Sequence, residues 1–139
     1  MVNEAVIRDN LNAVAMDFTV ADETGIEKGT LLALSDPRTA AASAAEGGPL
    51  AGIAAREKIA SDGRTRLSVY RSNIVVDMKA SGAIDVGRAV MSSGAVNEVK
   101  VAAATVSGAG ILGYALETAA DAETIQIYVN VGSGGSQLS

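Results

Sequence analysis

The feature that most constrains this chain is that it repeats itself once. Asp17 to Ser35 reads DFTVADETGIEKGTLLALS, and Val75 to Ser93, 58 positions later, reads VVDMKASGAIDVGRAVMSS. Without a gap, Ile26 matches Ile84, Gly29 matches Gly87 and Ser35 matches Ser93, with Glu27 and Asp85 alike. Each copy is followed by a small-residue segment containing glycine, PLAGIAAR at Pro49 to Arg56 and GILGYALE at Gly110 to Glu117. Each then closes with an alternating run, RTRLSVY at Arg64 to Tyr70 and TIQIYVNV at Thr124 to Val131. There the spacing of 58 returns and pairs Leu67 with Ile125 and Val69 with Ile127. Three elements in one order and spacing indicate a duplication, with copies over about 17–71 and 75–131. Two copies are too few for a solenoid, which needs at least about three stacked units. They suit a closed, compact all-β domain: a β-sandwich or a β-tulip-like barrel with a pseudo-two-fold internal repeat.

Local patterning points the same way. Leu67 and Val69 alternate with Arg66 and Ser68, and Ile125, Ile127, Val129 and Val131 alternate with Gln126, Tyr128 and Asn130, the period of a half-buried strand. Turn signals lie between such runs: Ser35-Asp36-Pro37, Gly47-Gly48-Pro49, Asp62-Gly63, Ser81-Gly82 and Ser93-Gly94. Short strands and turns at this spacing indicate a sandwich or barrel. The segments Gly-Ile-Glu-Lys-Gly and Ala-Ile-Asp-Val-Gly read as turns entering a strand, with the last glycine supplying a positive φ. Arg38 to Glu46, RTAAASAAE, has high helix propensity and predicts at most a short helix in a loop. Residues 1–15 are polar with scattered aliphatics and read as an N-terminal arm, 16–131 as a single β domain, and the Gly/Ser-rich 132–139 as a flexible tail.

Composition decides what kind of core this is. The hydrophobic fraction of 48% includes 26 alanines, and aromatics are only 3%: Phe18, Tyr70, Tyr114 and Tyr128. The core must therefore rest on Val, Ile and Leu, and a core so poor in large rings gains from self-association or a partner surface. With no Cys and no His, disulfides, Cys/His zinc sites, thiol nucleophiles and His-based triads are excluded. The net charge of −5 and a pI near 4.6 argue against direct binding of nucleic acid. No stretch approaches the roughly 20 apolar residues of a membrane helix, and Met1-Val2-Asn3-Glu4 lacks the regions of a signal peptide. No membrane partner, no cofactor and synthesis without export are the expectations.

No motif establishes an enzyme. Gly108-Ala-Gly-Ile-Leu-Gly113 matches G-x-G-x-x-G, but that fingerprint acts only between a strand and a helix, and here another strand follows. Asp22-Glu23 and Asp121-Ala-Glu123 lack the order of a calcium loop and read as solvated turns. Serines and lysines fall in no G-x-S-x-G or S-x-x-K frame. Charge is unevenly divided between the copies. Arg56, Lys58, Arg64, Arg66 and Arg71 crowd the first, whereas the equivalent run of the second carries Glu117, Asp121 and Glu123 and no Lys or Arg from Gly113 to Val131. Such a diverged duplication has the two complementary patches that a head-to-tail ring requires. Arg64, Arg66, Arg71, Glu117, Asp121 and Glu123 are accordingly the candidate contacts between protomers; Arg64 and Arg66 would equally suit a foreign partner or a solvated outer face.

The G-I-x-x-G turn, the small-residue segment and the closing V/I-x-V strand together resemble the small capsid cement, or head decoration, proteins of tailed viruses. The clearest stretch is Asn73 to Val131. The resemblance implies a β-sandwich or β-tulip-like domain with no catalytic residues, made in the host cytoplasm and located on the outer surface of the virion. It implies binding to the major capsid protein of the expanded shell, commonly as a homotrimer, so that neighbouring shell subunits are tied together. It also implies that a terminal arm engages the shell, which singles out Val6, Ile7, Arg8 and Leu11. A host-surface or carbohydrate-binding β-domain of a virion fibre or tail accessory protein is the alternative, disfavoured by the shortage of aromatic platforms; a β-clip-type accessory domain of cellular origin is a further one.

Overall fold

The computed structural model describes residues 5–43, 45–103, 106 and 108–132. The expected tail lies outside the described residues from 133 onward, as do residues 1–4 of the expected arm. The strands are β1 (Val6–Asn10), β2 (Ala15–Thr19), β3 (Leu31–Ser35), β4 (Thr39–Ala42), β5 (Leu50–Ala54) and β6 (Arg66–Tyr70). They continue with β7 (Ser72–Ala80), β8 (Ala89–Ser92), β9 (Glu98–Val101), β10 (Ile111–Ala115) and β11 (Thr124–Asn130); a single 3-10 turn covers Gly108–Gly110.

Of the two architectures open to the sequence, the chain adopts the barrel, twice. Strands β2, β4, β3, β5 and β6 close into one five-stranded barrel. Strands β7, β9, β8, β10 and β11 make the same five pairings in the second copy, and β1 is added at the β7 edge. In both barrels one pairing is parallel, β2 with β4 and β7 with β9, and the rest are antiparallel. The register makes the copies superimposable by name. Ile53 faces Tyr70 as Tyr114 faces Tyr128, Leu31 faces Ile53 as Ala89 faces Tyr114, and Phe18 faces Leu67 as Met78 faces Ile125. The ungapped spacing of the sequence comparison holds for β3/β8 and β6/β11. The second copy of β2 is displaced by two residues, which preserves the inward parity. Ile26 and Ile84 both make isolated bridges, to Lys58 and Ala119, and Gly29 (φ 92°) and Gly87 (φ 86°) turn the chain into β3 and β8.

One expectation is overturned here: within 38–46, residues Thr39–Ala42 are strand β4 and not helix. Ala40, Ala41 and Ala42 lie opposite Leu34, Ala33 and Leu32 of β3. Pairing on both sides of a closed barrel outweighs the few tenths of a kcal/mol per residue by which alanine favours helix. The glycine fingerprint at 108–113 runs from the 3-10 turn straight into β10, so no helix N-terminus is present to receive a phosphate.

The interior is aliphatic, as composition requires. Phe18, Val20, Leu32, Leu67 and Val69 fill the first barrel. Val76, Met78, Val90, Leu112, Ile125 and Ile127 fill the second, in one continuous cluster with Leu31, Leu50 and Ile53 of the first. Those three side chains point out of the first barrel, so that all five residues of β5 are buried, one face in each core. Burying an aliphatic side chain of this size contributes about 1.5–3 kcal/mol, which is why the two barrels share a core instead of standing apart.

Among the described residues Lys58 is the one charged side chain that is fully buried, held in a clamp. The Lys58 side chain has no solvent exposure, and its Nζ lies 3.1 Å from Asp22 Oδ1 and 2.7 Å from Asp62 Oδ1. It also donates to the carbonyl oxygens of Asp22 (2.8 Å) and Ile59 (2.7 Å). Asp22 Oδ1 in turn accepts from Gly63 N–H at 2.8 Å, and Asp62 Oδ1 from Arg64 N–H at 2.9 Å. Lys58 is therefore no part of a basic face, and Asp22 is no merely solvated turn residue. Together they pin the β2–β3 connection to the one between β5 and β6.

Two expected outcomes follow from this packing. A methyl group at Gly113 would collide with the Tyr128 carbonyl oxygen, as one at Gly52 would with that of Tyr70, whereas one at Gly63 meets nothing. Gly113→Ala should lower unfolding free energy by about 3 kcal/mol or more, and Gly63→Ala, at φ 86°, by only about 1 kcal/mol, read from denaturant midpoints. The second concerns pH. The Lys58 ammonium, with the next-largest contribution from Arg64 N–H, holds the Asp62 carboxyl below its usual range. Burial is the largest influence on Lys58 and pulls it down, but the hydrogen bonds to Asp62 and Asp22 outweigh it and leave the ammonium raised. A depressed carboxyl stabilises fully above its unfolded value of about 3.9 and loses that contribution as pH falls through the folded value. The lysine's contribution is full below about pH 10 and is lost only as pH rises through its raised value. Asp62→Asn should thus melt below wild type at pH 7, and the two melting curves should converge as pH falls towards about 2. A constant gap would show that the clamp is not linked to folding.

Candidate functional site

The segment read as an arm is in part sheet. Strand β1 pairs antiparallel with β7, Val6 opposite Asp77 and Ile7 opposite Val76, with a bulge between Ile7 and Asp9. Residues 6–10, read as part of an arm, are thus an edge strand of the second barrel. Ile7 packs partly buried against the shared core. Arg8 is held by Asp77 through two hydrogen bonds of 3.0 Å, which raise its guanidinium above the ordinary value. Val6 and Leu11 are about half exposed, and beside them Val14 is 82% exposed. Of the four residues singled out here, only Val6 and Leu11 present an uncommitted apolar side chain.

The three candidate arginines do not form one face. Arg64 and Arg66 line a shallow polar recess of about 450 Å³ with Arg56, Asp17, Thr65 and Ser68. Arg66 reaches Asp17 only at 4.0 Å, while Arg56 and Arg64 have no ion pair among the described residues. Arg71 has the parity of Leu67 and Val69, not of Arg66, and so turns to the mouth of the first barrel. There it lines an apolar groove of about 470 Å³ with Met16, Phe18, Leu34, Asp36, Arg38 and Pro49. Arg38 lies over the Phe18 ring, 5.4 Å from its centroid. Arg71 makes no side-chain hydrogen bond or ion pair among the described residues, and burial alone pulls its guanidinium below the ordinary value. The groove was not legible as a site, because its lining residues come from four separated stretches of chain that only barrel closure brings together.

The three acidic candidates of the second copy are turn carboxylates. Glu117 Oε2 accepts from Gln126 N–H at 3.0 Å, Asp121 Oδ1 from Gly82 N–H at 2.7 Å, and Glu123 Oε1 from Ala120 N–H at 2.7 Å. Each closes a turn and keeps its other oxygen free for solvent or a cation. Asp121–Gly82 has an inverted counterpart in the first copy, where Asp22 accepts from Gly63. The structure also pairs two of the few aromatics. Tyr114 and Tyr128 lie with ring centroids 5.5 Å apart on the outer side of the second barrel, and Tyr128 Oη donates to Asn73 Oδ1 at 2.7 Å. Among the described residues no three acidic side chains gather as a metal site would require.

What these surfaces can do is bind, through shape and charge. No family model matches the chain, and no curated protein matches it. Among solved structures it is similar to the crystal structure of the head fiber gp8.5 N base of bacteriophage phi29. The TM-score is 0.52 at 16% sequence identity, and the match covers 84% of this chain and 93% of that one. At that identity the likeness is one of fold.

Proposed function

We propose that this chain is a structural protein of a tailed-phage head, docked on the outer surface of the expanded capsid, where it cements neighbouring major capsid subunits. The observation that supports this most is the fold shared with the phi29 head fiber base over nearly all of that chain. A cement protein acts by mass action, stabilising the shell state that it binds. Many copies at fixed positions need only moderate affinity each, because self-association supplies multivalency. In this reading the chain catalyses nothing, is made in the host cytoplasm and ends in the virion, and its partners are the major capsid protein and further copies of itself, as a homotrimer.

The Arg56–Arg64–Arg66 recess on the first barrel and the turn carboxylates Glu117, Asp121 and Glu123 on the second are the surfaces offered to neighbouring protomers. Sedimentation velocity should show a trimer at low salt that dissociates when Arg64 and Arg66 are both changed to Glu. A trimer that survives the double reversal at low salt removes these arginines from the interface.

The decisive experiment is co-sedimentation with expanded, undecorated capsids, titrated to saturation. Saturation at a fixed ratio to the major capsid protein, with unexpanded shells left bare, is the expected result. No binding at low or moderate salt would sink the capsid reading. Attention would then move to the Tyr114–Tyr128 pair and its flanking amides Asn73 and Gln126, a surface suited to a carbohydrate or host-surface role.

A further inference from the structure

The two barrels have equivalent mouths in unequal states. In the second barrel the positions corresponding to Met16, Leu34, Arg38 and Arg71 are Val76, Ser92, Asn97 and Val129, and none of these is more than 2% exposed. They are covered by the first barrel. Leu31, Leu50 and Ile53 pack into one cluster with Val76 and Val129, and Asn97 Oδ1 accepts from Leu31 N–H at 2.8 Å. Ser92 Oγ donates to Ala45 O at 2.8 Å, and Glu46 bridges Ser93. An extended stretch, roughly 45–50, together with an aliphatic strand face thus plugs the second mouth. Among the described residues nothing plugs the first mouth: Met16 is 39% exposed, and the apolar groove of about 470 Å³ stands open.

We propose that the open mouth of the first barrel is a docking groove for an extended segment of a partner protein, one that places an aliphatic side chain against Met16 and Leu34 and a carboxylate on Arg71. The charge of the occupant follows from the substitutions between the copies. Where the sealed mouth has Val129 and Asn97, the open one has Arg71 and Arg38, two guanidiniums without an ion pair among the described residues; one carboxylate, Asp36, shares the lining but is in ion-pair contact with neither. A half-buried guanidinium with no counter-ion is costly, and a carboxylate brought in by a ligand relieves that cost with a charge-assisted, two-pronged contact. Arg71 is already held below its ordinary value by burial, as that accounting requires. A second copy of this chain is a poor occupant. The face that would have to enter, equivalent to Leu31–Leu50–Ile53, is Ala89–Ile111–Tyr114. Ala89 and Ile111 are already covered, packed with Met91 and Val106. Resting on the capsid reading above, the occupant is an acidic, aliphatic segment of the major capsid protein.

The test uses the full chain and expanded capsids. Arg71→Glu should weaken capsid binding about tenfold or more, and Arg71→Lys by clearly less; both should melt close to wild type, since the Arg71 side chain makes no hydrogen bond or ion pair among the described residues. A photo-crosslinking residue at Met16 should attach to a capsid-protein peptide containing Asp or Glu beside an aliphatic residue. Wild-type affinity in a folded Arg71→Glu variant, or crosslinks only to other copies of this chain, overturns the groove while leaving the capsid reading intact. Wild-type protein that leaves capsids bare overturns the capsid reading itself, and with it the occupant named here.

Discussion

The rest of the structure depends on the two-sided burial of β5. A five-stranded barrel built from one copy of the repeat is short of large side chains, and its interior holds a single aromatic ring, Phe18. Units of this size bury too small a fraction of their surface to be comfortably stable alone. Turning Leu50 and Ile53 outward while Ala51 and Ala54 face inward lets one strand serve two cores. The division of sizes is consistent: the small side chains fill the narrow interior, and the large ones cross to the neighbouring barrel. Gly52 sits between them because the Tyr70 backbone passes directly over its Cα, and Gly113 meets the Tyr128 backbone in the same way. The joint between the barrels is therefore part of the core and not a hinge between two independent domains.

Duplication supplied two copies of one topology, and divergence gave each a different means of holding its long connections. In the first copy the bridge from Ile26 ends on Lys58, whose ammonium gathers two carboxylates and two carbonyls. In the second the equivalent bridge from Ile84 ends on Ala119, with no charge to satisfy, and the turn is closed by Asp121 and Glu123 accepting backbone N–H groups. A buried ion cluster specifies geometry more than it adds net stability. Its placement fits that role, because the connection it pins lies on the barrel that carries both the basic recess and the open groove.

What could be read from the sequence and what could not divides along a physical line. Period-two alternation over β6 and β11, the turns at Gly29 and Gly87 and the order of elements were legible, because each is specified within a few neighbouring residues. Strand β4 was not, since three consecutive alanines have no alternation to read and favour helix locally, while Thr19 of β2, which closes its other edge, is remote in sequence. The burial of Lys58 was hidden for the same reason: a lysine among Arg56, Arg64 and Arg66 looks like one more surface charge until Asp22, 36 positions away, is brought to it. Arg71 carried a usable signal that the charge pattern obscured. It shares parity with Leu67 and Val69, so alternation alone assigns it to the inner side of the strand. Strand β1 was legible only as scattered aliphatics, because an edge strand with one partly buried residue, Ile7, leaves almost no periodic trace.

The asymmetry between the two mouths sets the two copies apart in what each can receive. A repeat whose outer face fits the mouth of the next copy would, if both copies kept both surfaces, extend without limit, as open heterologous contacts do. Here each end has been changed. On the second barrel, Val106 and Met91 cover the face that would enter another mouth, and the absence of a side chain at Gly110 lets the carbonyls of Gly47 and Gly48 approach closely. On the first barrel, charge at Arg38 and Arg71 replaces the neutral Asn97 and Val129, so the mouth no longer matches an aliphatic strand face alone. The chain thus closes on itself at one joint and leaves, at the other, a groove whose apolar floor and cationic rim select for something chemically different from itself.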